Sequence, residues 1–583
     1  MSSSPSSSCP TGNNQSCVSL PRRRIVDVLW CLAVLCLVLR ISGYYFTLHG
    51  DQFTFHHEDD VHYYAKIAEN LAAGHPFTFD RINPTNGFHP LWLLCSTAIF
   101  IIQRDPESYI RLYFVCQYLL FLGCVACVFF ILLRTTGGRR LLSATLAAYF
   151  GLDDFFYKTI INGLETPLFV LLCLVILLII ASATPDMLLR KRRPMWMGLL
   201  MSALILSRLD GGGLHAIGFC VAWLMVCRKQ IGRTHILHAA LAAATPVVLF
   251  LIMSALYNGS PTPVSGAIKR ATERPSSSPW YFAMLDFPNL YNWRTYYPIR
   301  FAEVLPIHEL TSEWGVNIPS YYVPRPGLLL FGAVVSGIVG VVFLMLRQLS
   351  RRDEPEGLTA LTWFMITSVG LLVFNKATYR FGIIPYWYPV TFSVAQLLMV
   401  GYVLSKLRWV KGGTAISVAS MVFLVPFFYE FNLVHRDREK FLASRTGSIH
   451  WYDAAKWIST HTASEDVIAS FNAGTIGFYS ERRVINLDGL VNSHAFRLNV
   501  FNLKFKDVDR YKTRLIHYLK ENNVSYFADF VPNKDDTYWQ TLFTSTGAIM
   551  KLTEVYRTPD SYSDRAAVYQ IEYLPSPAAT ATP

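Results

Sequence analysis

Charge is scarce in this sequence. Asp, Glu, Lys and Arg make up 16% of its 583 residues, against about 25% in an ordinary soluble domain. The shortage is concentrated in long apolar runs such as Ile25–Leu39 and Leu168–Ala181, which excludes a conventional soluble globular protein. Cysteine is absent after Cys227, so the long C-terminal part has no disulfide framework. The 11 Cys that do occur lie mostly inside apolar runs, where Cys acts as a small hydrophobe. No internal repeat is visible, which counts against the inverted-repeat plan of many transporters. A cleavable leader is missing too: the run after Arg22–Arg24 is too long for a signal-peptide core and lacks a small-residue cleavage site, so it reads as a retained anchor.

What is present is apolar and aromatic. Hydrophobic residues reach 52% and aromatic ones 14%, and Tyr and Trp crowd the ends of the runs as interfacial belts do. The formal net charge is +12. It comes from short clusters between runs, not from one continuous face, and so marks cytoplasmic loops and no nucleic-acid surface. The clusters are Arg22–Arg24; Arg134, Arg139 and Arg140; Arg190–Arg193; Arg228, Lys229 and Arg233; Arg347, Arg351 and Arg352; and Lys406, Arg408 and Lys411. Placing them all inside predicts about 11 spans: 25–45, 109–133, 141–161, 166–183, 195–209, 212–227, 236–256, 326–346, 357–374, 384–404 and 413–430. The short run Phe88–Gln103 fits only as a helix on the outer leaflet, because a full crossing would turn the next three basic loops outward.

This gives a mainly α polytopic membrane protein: a disordered tail at 1–24, a membrane region at 25–430 with outer loops at 46–108 and 257–325, and an external segment at 431–583. In the last, helical patterns at Trp451–His461 and Asp509–Asn522 alternate with strand-like runs at Asp466–Phe471, Val524–Phe527 and Ala567–Glu572. That alternation predicts a small α/β domain.

Chemistry concentrates in the first outer loop. His56-His57-Glu58-Asp59-Asp60-Val61-His62-Tyr63-Tyr64 opens a helical pattern that stops near Gly74. Val61, Tyr64, Ile67, Ala68 and Leu71 form its apolar stripe, while Asp59 and Tyr63 share one face and Glu58, His62 and Lys66 another. The acids could simply complement the helix dipole, but three acids and three His beside a membrane exceed that need. Asn83-Pro84-Thr85-Asn86-Gly87-Phe88-His89-Pro90 is a non-helical turn on spacing alone. Elsewhere, Glu165 in Asn162–Thr166 reads on its residues alone as a helix N-terminal acid before the next span. Asp153, Asp154 and Lys158 lie at membrane depth, where ionisable groups are functional candidates. Arg208 and Asp210 sit in a hairpin turn at the right spacing to pair with each other. Lys269 and Arg270 follow Pro261–Ile268, where a lipid phosphate would lie, although snorkelling anchors look the same. Arg380 is a further cation on that side, followed by the aromatics Tyr386, Trp387 and Tyr388.

The string Asp59–Tyr64, with Ile67-Ala68 and Asn83–Trp92, resembles the first external loop of GT-C glycosyltransferases. These include the protein O-mannosyltransferases, the aminoarabinose transferases and related bacterial membrane proteins. The resemblance covers roughly the first 270 residues and weakens afterwards. It implies a polyprenyl- or dolichyl-phosphate sugar donor and inverting transfer to an acceptor hydroxyl at the outer face. By motif position, Asp59 matches the catalytic acidic residue, Asp60 its companion and Glu165 a second acidic position. His62, Tyr63, Asn86, His89, Lys269, Arg270 and Arg380 become candidates for substrate contact. No cofactor is certain; His57, Glu58 and Asp60 are the donors that could hold a divalent metal, since the family contains both metal-dependent and metal-independent members. The partners implied are the lipid-linked donor, membrane lipid and a glycan, lipid or protein acceptor. The membrane would be the plasma membrane in a bacterium and the endoplasmic reticulum in a eukaryote. A transporter or lipid flippase, or a non-catalytic glycan-binding membrane protein, are the competing classes.

Overall fold

The structure is a computed structural model and describes residues 59–152, 156, 159–271, 356–378, 390–406, 449–498, 509–531, 538–545, 548–559 and 565–574. The expected tail at 1–24, the spans at 25–45, 326–346 and 413–430, most of the loop at 257–325, and His57, Glu58, Asp153, Asp154, Lys158 and Arg380 lie outside those residues.

Twelve helices precede the C-terminal segment among the described residues. They are α1 (Asp60–Ala72), α2 (Pro90–Ile102), α3 (Pro106–Thr135), α4 (Arg140–Leu152), α5 (Thr166–Ser182), α6 (Pro185–Leu189), α7 (Arg193–Ser207), α8 (Gly211–Cys227), α9 (Arg233–Asn258), α10 (Val264–Ala271), α11 (Glu356–Thr378) and α12 (Val390–Lys406). Proline sits at the entry of several of them, where its missing N–H costs nothing. Pro106 opens α3, and the Asp105 side chain accepts from the Ser108 amide at 2.9 Å to cap it.

Among the described residues, three helices are long and apolar enough to cross a membrane: α3, α9 and the Gly357–Asn375 part of α11. The helices at the expected spans 166–183, 195–209 and 212–227 have 17, 15 and 17 residues, short of the roughly 20 that span a bilayer core unaided; at the expected span 384–404 the described residues begin at Val390. One apolar core joins α3, α4, α5, α7, α8, α11 and α12 through residues such as Phe121, Phe150, Phe169, Phe219, Phe364 and Leu398. Helix α9 packs on α7 yet exposes Leu237, Leu241, Leu249, Ile252 and Leu256. An uncovered apolar surface of that length is unfavourable in water and matched to lipid. The chain is an integral membrane protein.

The C-terminal segment carries α13 (Ile449–His461), β1 (Val467–Ser470), α14 (Ala473–Tyr479), β2 (Arg483–Asn486), α15 (Ser493–Arg497), α16 (Asp509–Glu521), β3 (Val524–Phe530), α17 (Tyr538–Leu542), β4 (Ile549–Arg557) and β5 (Ala566–Leu574). The sheet order is β2-β1-β3-β5-β4. Strand β1 pairs in parallel with β2 and β3, and β5 runs antiparallel to β3 and β4. A second core, around Phe471, Phe527, Trp539, Phe543 and Tyr569, fills one face.

Helix α2 decides a point of topology. Its 13 residues reach about 20 Å at 1.5 Å per residue, against a hydrocarbon core of about 30 Å. Both flanks meet the C-terminal segment. Before α2, Gly87 lies so close to the Leu490 carbonyl that a Cβ there would overlap it. After α2, the Tyr452 hydroxyl donates to Glu107 at 2.8 Å. Helix α2 thus returns the chain to the side it left.

Candidate active site

Helix α1 turns two faces to two different neighbours, and its acidic pair is divided between them. At about 100° per residue, Asp59, His62 and Lys66 share one side, and Asp60 and Tyr64 another.

The first side meets the C-terminal segment. Asp59 makes no cap bond within α1. Its carboxylate is taken by the first turn of α14: the Gly474 amide donates to Oδ2 at 2.9 Å, and the Thr475 amide and hydroxyl donate to Oδ1 at 2.6 and 2.7 Å. Gly474 is needed there because a Cβ would overlap the Asp59 carbonyl. The single hydroxyl hydrogen of Thr475 goes to Asp59, since a carboxylate only accepts. His62 Nδ1, 3.1 Å from that hydroxyl oxygen, must therefore be the donor, which fixes the neutral tautomer. The His62 ring is fully buried beside Phe478 and Tyr479. Burial pulls its pKa down to about 4, partly opposed by Asp59. Tyr63 is buried against the edge of Phe79 and accepts from Asn486 Nδ2 at 3.3 Å. Burial, then the charges of Asp488, Asp59 and Asp60, push its pKa well up.

The second side meets a buried ionic cluster. The Tyr64 hydroxyl lies 3.4 Å from Glu165 Oε2 and accepts from the His89 amide at 3.1 Å. Glu165 is 3% exposed. Its Oε1 lies 3.5 Å from His89 Nε2 and 3.7 Å from Arg208 Nε. Arg208, 2% exposed, also pairs with Asp210 at 3.1 Å and lies over the Phe169 ring. The Leu209 amide donates to His89 Nδ1 at 3.1 Å, so the neutral His89 carries its proton on Nε2, facing Glu165. Asp60 lies about 40° round the helix from Tyr64, and its charge helps raise the pKa of both Tyr63 and Tyr64.

The loop that carries Glu165 is held from α3. Tyr113 donates to the Gly163 carbonyl at 2.6 Å, and Gln117 both accepts from the Gly163 amide at 2.9 Å and donates to the Leu164 carbonyl at 2.6 Å. Gly163 has φ 84, and a Cβ there would run into Val61 of α1. Glycine is what lets this loop press its glutamate against the external helix.

The expected residues thus separate. Tyr64, Glu165, His89, Arg208 and Asp210 converge; Asp59, His62 and Tyr63 bind the C-terminal segment instead. Asn86 is used structurally: its Nδ2 lies 2.8 Å from Ser254 Oγ, 3.0 Å from the Ser260 carbonyl and 2.9 Å from the Thr262 carbonyl, and its Oδ1 accepts from Val264 at 2.8 Å. These bonds make a clasp that anchors the start of α10 beside the His89 turn. Lys269 and Arg270 lie on α10, with side chains outside the described residues. Arg208 and Asp210, expected as a self-contained pair, form that pair and add Glu165. Tyr113, Gln117, Gly474 and Thr475 carried no sequence signal beyond a polar residue in an apolar span and an Asn-Ala-Gly-Thr turn. Among the described residues, no group of three or more His, Cys, Asp or Glu could hold a metal ion; His57 and Glu58 lie outside them.

Comparison with solved structures gives the fold a name. The crystal structure of apo ArnT, an aminoarabinose transferase from Cupriavidus metallidurans, matches 92% of this chain and 97% of its own, with a TM-score of 0.53 at 14% identity. The chain has the GT-C fold. The apo oligosaccharyltransferase of Archaeoglobus fulgidus is also similar, at a TM-score of 0.49 and 13% identity over 94% of this chain and 74% of that one. A family model described as a domain of unknown function, DUF8728, matches residues 441–569, which cover most of the docked C-terminal segment. No curated protein matches the chain in sequence.

Proposed function

We propose that this chain transfers a sugar from a polyprenyl- or dolichyl-phosphate donor to an acceptor hydroxyl, with inversion, at the non-cytoplasmic face of the membrane. The observation that carries the proposal is the buried cluster of Glu165, Arg208, Asp210 and His89 against the external helix α1. Ionisable groups at the end of apolar helices are costly and mark function. The GT-C fold supports the same reading, as does the likeness to ArnT, an aminoarabinose transferase.

Helix direction supports the sidedness. Helices α3 and α8 start at the C-terminal segment or the cluster and end at Arg134 and Arg228; α5 starts beside Glu165 and runs toward Arg190–Arg193, where α7 starts back toward Arg208. The basic turns thus gather at the end opposite the acidic site, and basic loops stay in the cytosol. The C-terminal segment then lies outside, with the site. Single-cysteine labelling of intact cells at positions 104 and 191 tests this: Arg104→Cys should react from outside and Lys191→Cys should not.

The chemistry needs a base and a place for negative charge. The acceptor O–H attacks the anomeric carbon, the bond from that carbon to the phosphate oxygen breaks, the proton passes to a carboxylate, and lipid phosphate leaves as an anion. Asp59 is poorly placed as that base. A carboxylate offers about four lone-pair positions, and three already accept from Gly474 and Thr475. Asp60, on the Tyr64 side of α1, is the proposed base, with Glu165 the second acidic position beside it, and a positioned base contributes roughly 10²–10⁴-fold. Lys269, Arg270 and Arg380 are the proposed cations for the leaving phosphate, where charge stabilisation replaces a general acid. The test is release of free lipid phosphate from a panel of polyprenyl-phosphate sugars by the purified full chain. A transporter or flippase would consume no donor.

A further inference from the structure

A cavity of about 430 Å³ lies on the Asp59 side of α1, away from the Glu165 cluster. That volume is within the range of ligand pockets. It is framed by α1, the turn that follows it, the end of α2 and the edge of the C-terminal segment. Five cations line it: Lys66, Arg81, Arg104, Arg482 and Arg483. Three acids line it as well, but two are spent. Glu69 is held by Lys66 at 3.0 Å and Arg81 at 3.4 Å. Asp80 is 2% exposed and turned into its own loop, where it accepts from the Ile82 and Asn83 amides at 2.8 and 2.6 Å and from Asn83 Nδ2 at 2.7 Å. Glu481 alone remains to oppose Arg104, Arg482 and Arg483, none of which pairs with a carboxylate among the described residues.

Arg482 is built as an anion donor. Its Nε donates to Thr462 Oγ1 at 3.1 Å, and its Nη2 donates to the Ser459 and Thr462 carbonyls, both at 2.8 Å. Those bonds fix the plane of the guanidinium and leave the two hydrogens of Nη1 unused. A guanidinium fixed in this way, with Nη1 still free to donate, suits a single phosphate oxygen. Apolar surface adjoins it. Leu94 and Ile101, each 60% exposed, share a face of α2 because seven residues are two turns, and Ile102 at 77% exposure lies two residues before Arg104.

We propose that this cavity binds the phosphate headgroup of an anionic membrane lipid, with the acyl chains along the Leu94–Ile101 face of α2. The charged cavity and the greasy helix face meet at Arg104, as the two halves of such a lipid do. This site is separate from the Glu165 cluster and does not depend on the reaction proposed there.

The test uses the full chain exposed to phosphatidylcholine vesicles carrying phosphatidate, with bound lipid counted by native mass spectrometry. Wild type should retain phosphatidate over phosphatidylcholine. Arg104→Glu, at an exposed residue that makes no hydrogen bond or ion pair among the described residues, should lower phosphatidate retention at least tenfold. Glu481→Gln should raise it, a gain that misfolding cannot produce. Equal retention by wild type and Arg104→Glu would overturn the site. Inorganic phosphate protecting the chain against unfolding while phosphatidate is not retained would overturn the lipid assignment in favour of a soluble phosphate.

Discussion

Thr475→Val probes the junction between α1 and the C-terminal segment with little change of volume. The valine keeps the backbone amides of residues 474 and 475 on Asp59 and deletes only the hydroxyl. Two interactions go with it: the 2.7 Å bond to Asp59 and the 3.1 Å bond from His62. A hydrogen bond to a charged partner contributes about 1.5–3 kcal/mol, and a buried polar atom left without a partner costs about 1–3 kcal/mol. Asp59 is only half-buried, so its share belongs at the low end; His62 is fully buried, so its share counts in full. The sum is about 3 kcal/mol, or roughly a hundredfold in the opening equilibrium of the junction. Amide hydrogen exchange on the full chain reads this directly. Exchange in 473–479 and 59–64 should accelerate by about two orders of magnitude, while β3 and β5 keep their protection. Unchanged exchange at 474 and 475 would refute the reasoning, because the hydroxyl would then contribute nothing to docking.

Other expectations follow from the same geometry. The pKa of His62 falls from 6.5 to about 4 in the folded chain, so the unfolded chain binds the proton more readily. Stability should be full above pH 6.5 and fall by about 3 kcal/mol as pH drops toward 4; unfolding midpoints across that window should show the slope, and His62→Gln should remove most of it. Glu165→Gln should cut donor turnover by roughly 10²-fold or more and lower the melting temperature, since buried Arg208 loses one of its two carboxylates. Gly163→Ala should destabilise the chain by more than about 1 kcal/mol, because the site has positive φ and no room for a Cβ; thermal unfolding measures it. Asn86→Ala should shift unfolding more than substrate affinity, since its polar atoms are occupied by the chain itself.

Local pattern carried the helices and strands. The stripe Val61, Tyr64, Ile67, Ala68 and Leu71 predicts a helix over 58–73, and α1 covers Asp60–Ala72. The strand-like runs at 466–471, 524–527 and 567–572 coincide with β1, β3 and β5, while β4, long and half-exposed, gave no clear alternation. The run 141–161 reads as one span, and its described residues 141–152, 156 and 159–160 are helical up to the Asn162–Glu165 loop that Gln117 and Tyr113 hold. The division of the acidic pair was out of reach. Asp59 and Asp60 are adjacent and chemically alike, and what separates them is a partner more than four hundred residues away, Thr475. Spacing along a chain reports which residues share a helix face; it does not report what that face will meet. The charge clusters fared better, because a buried Arg208 needs carboxylates wherever they come from, and the turn that holds it supplies one in Asp210.

The division of labour between the two aspartates is tested most directly by turnover of matched variants. Asp59→Asn and Asp60→Asn would be compared for release of free lipid phosphate from the best polyprenyl-phosphate sugar, with hydrogen exchange at 473–479 read on the same samples. Asp60→Asn should lose turnover by about 10²-fold or more with the junction intact, and Asp59→Asn should loosen the junction and keep measurable turnover. Full activity in Asp60→Asn, together with abolished activity and an undisturbed junction in Asp59→Asn, would contradict the account.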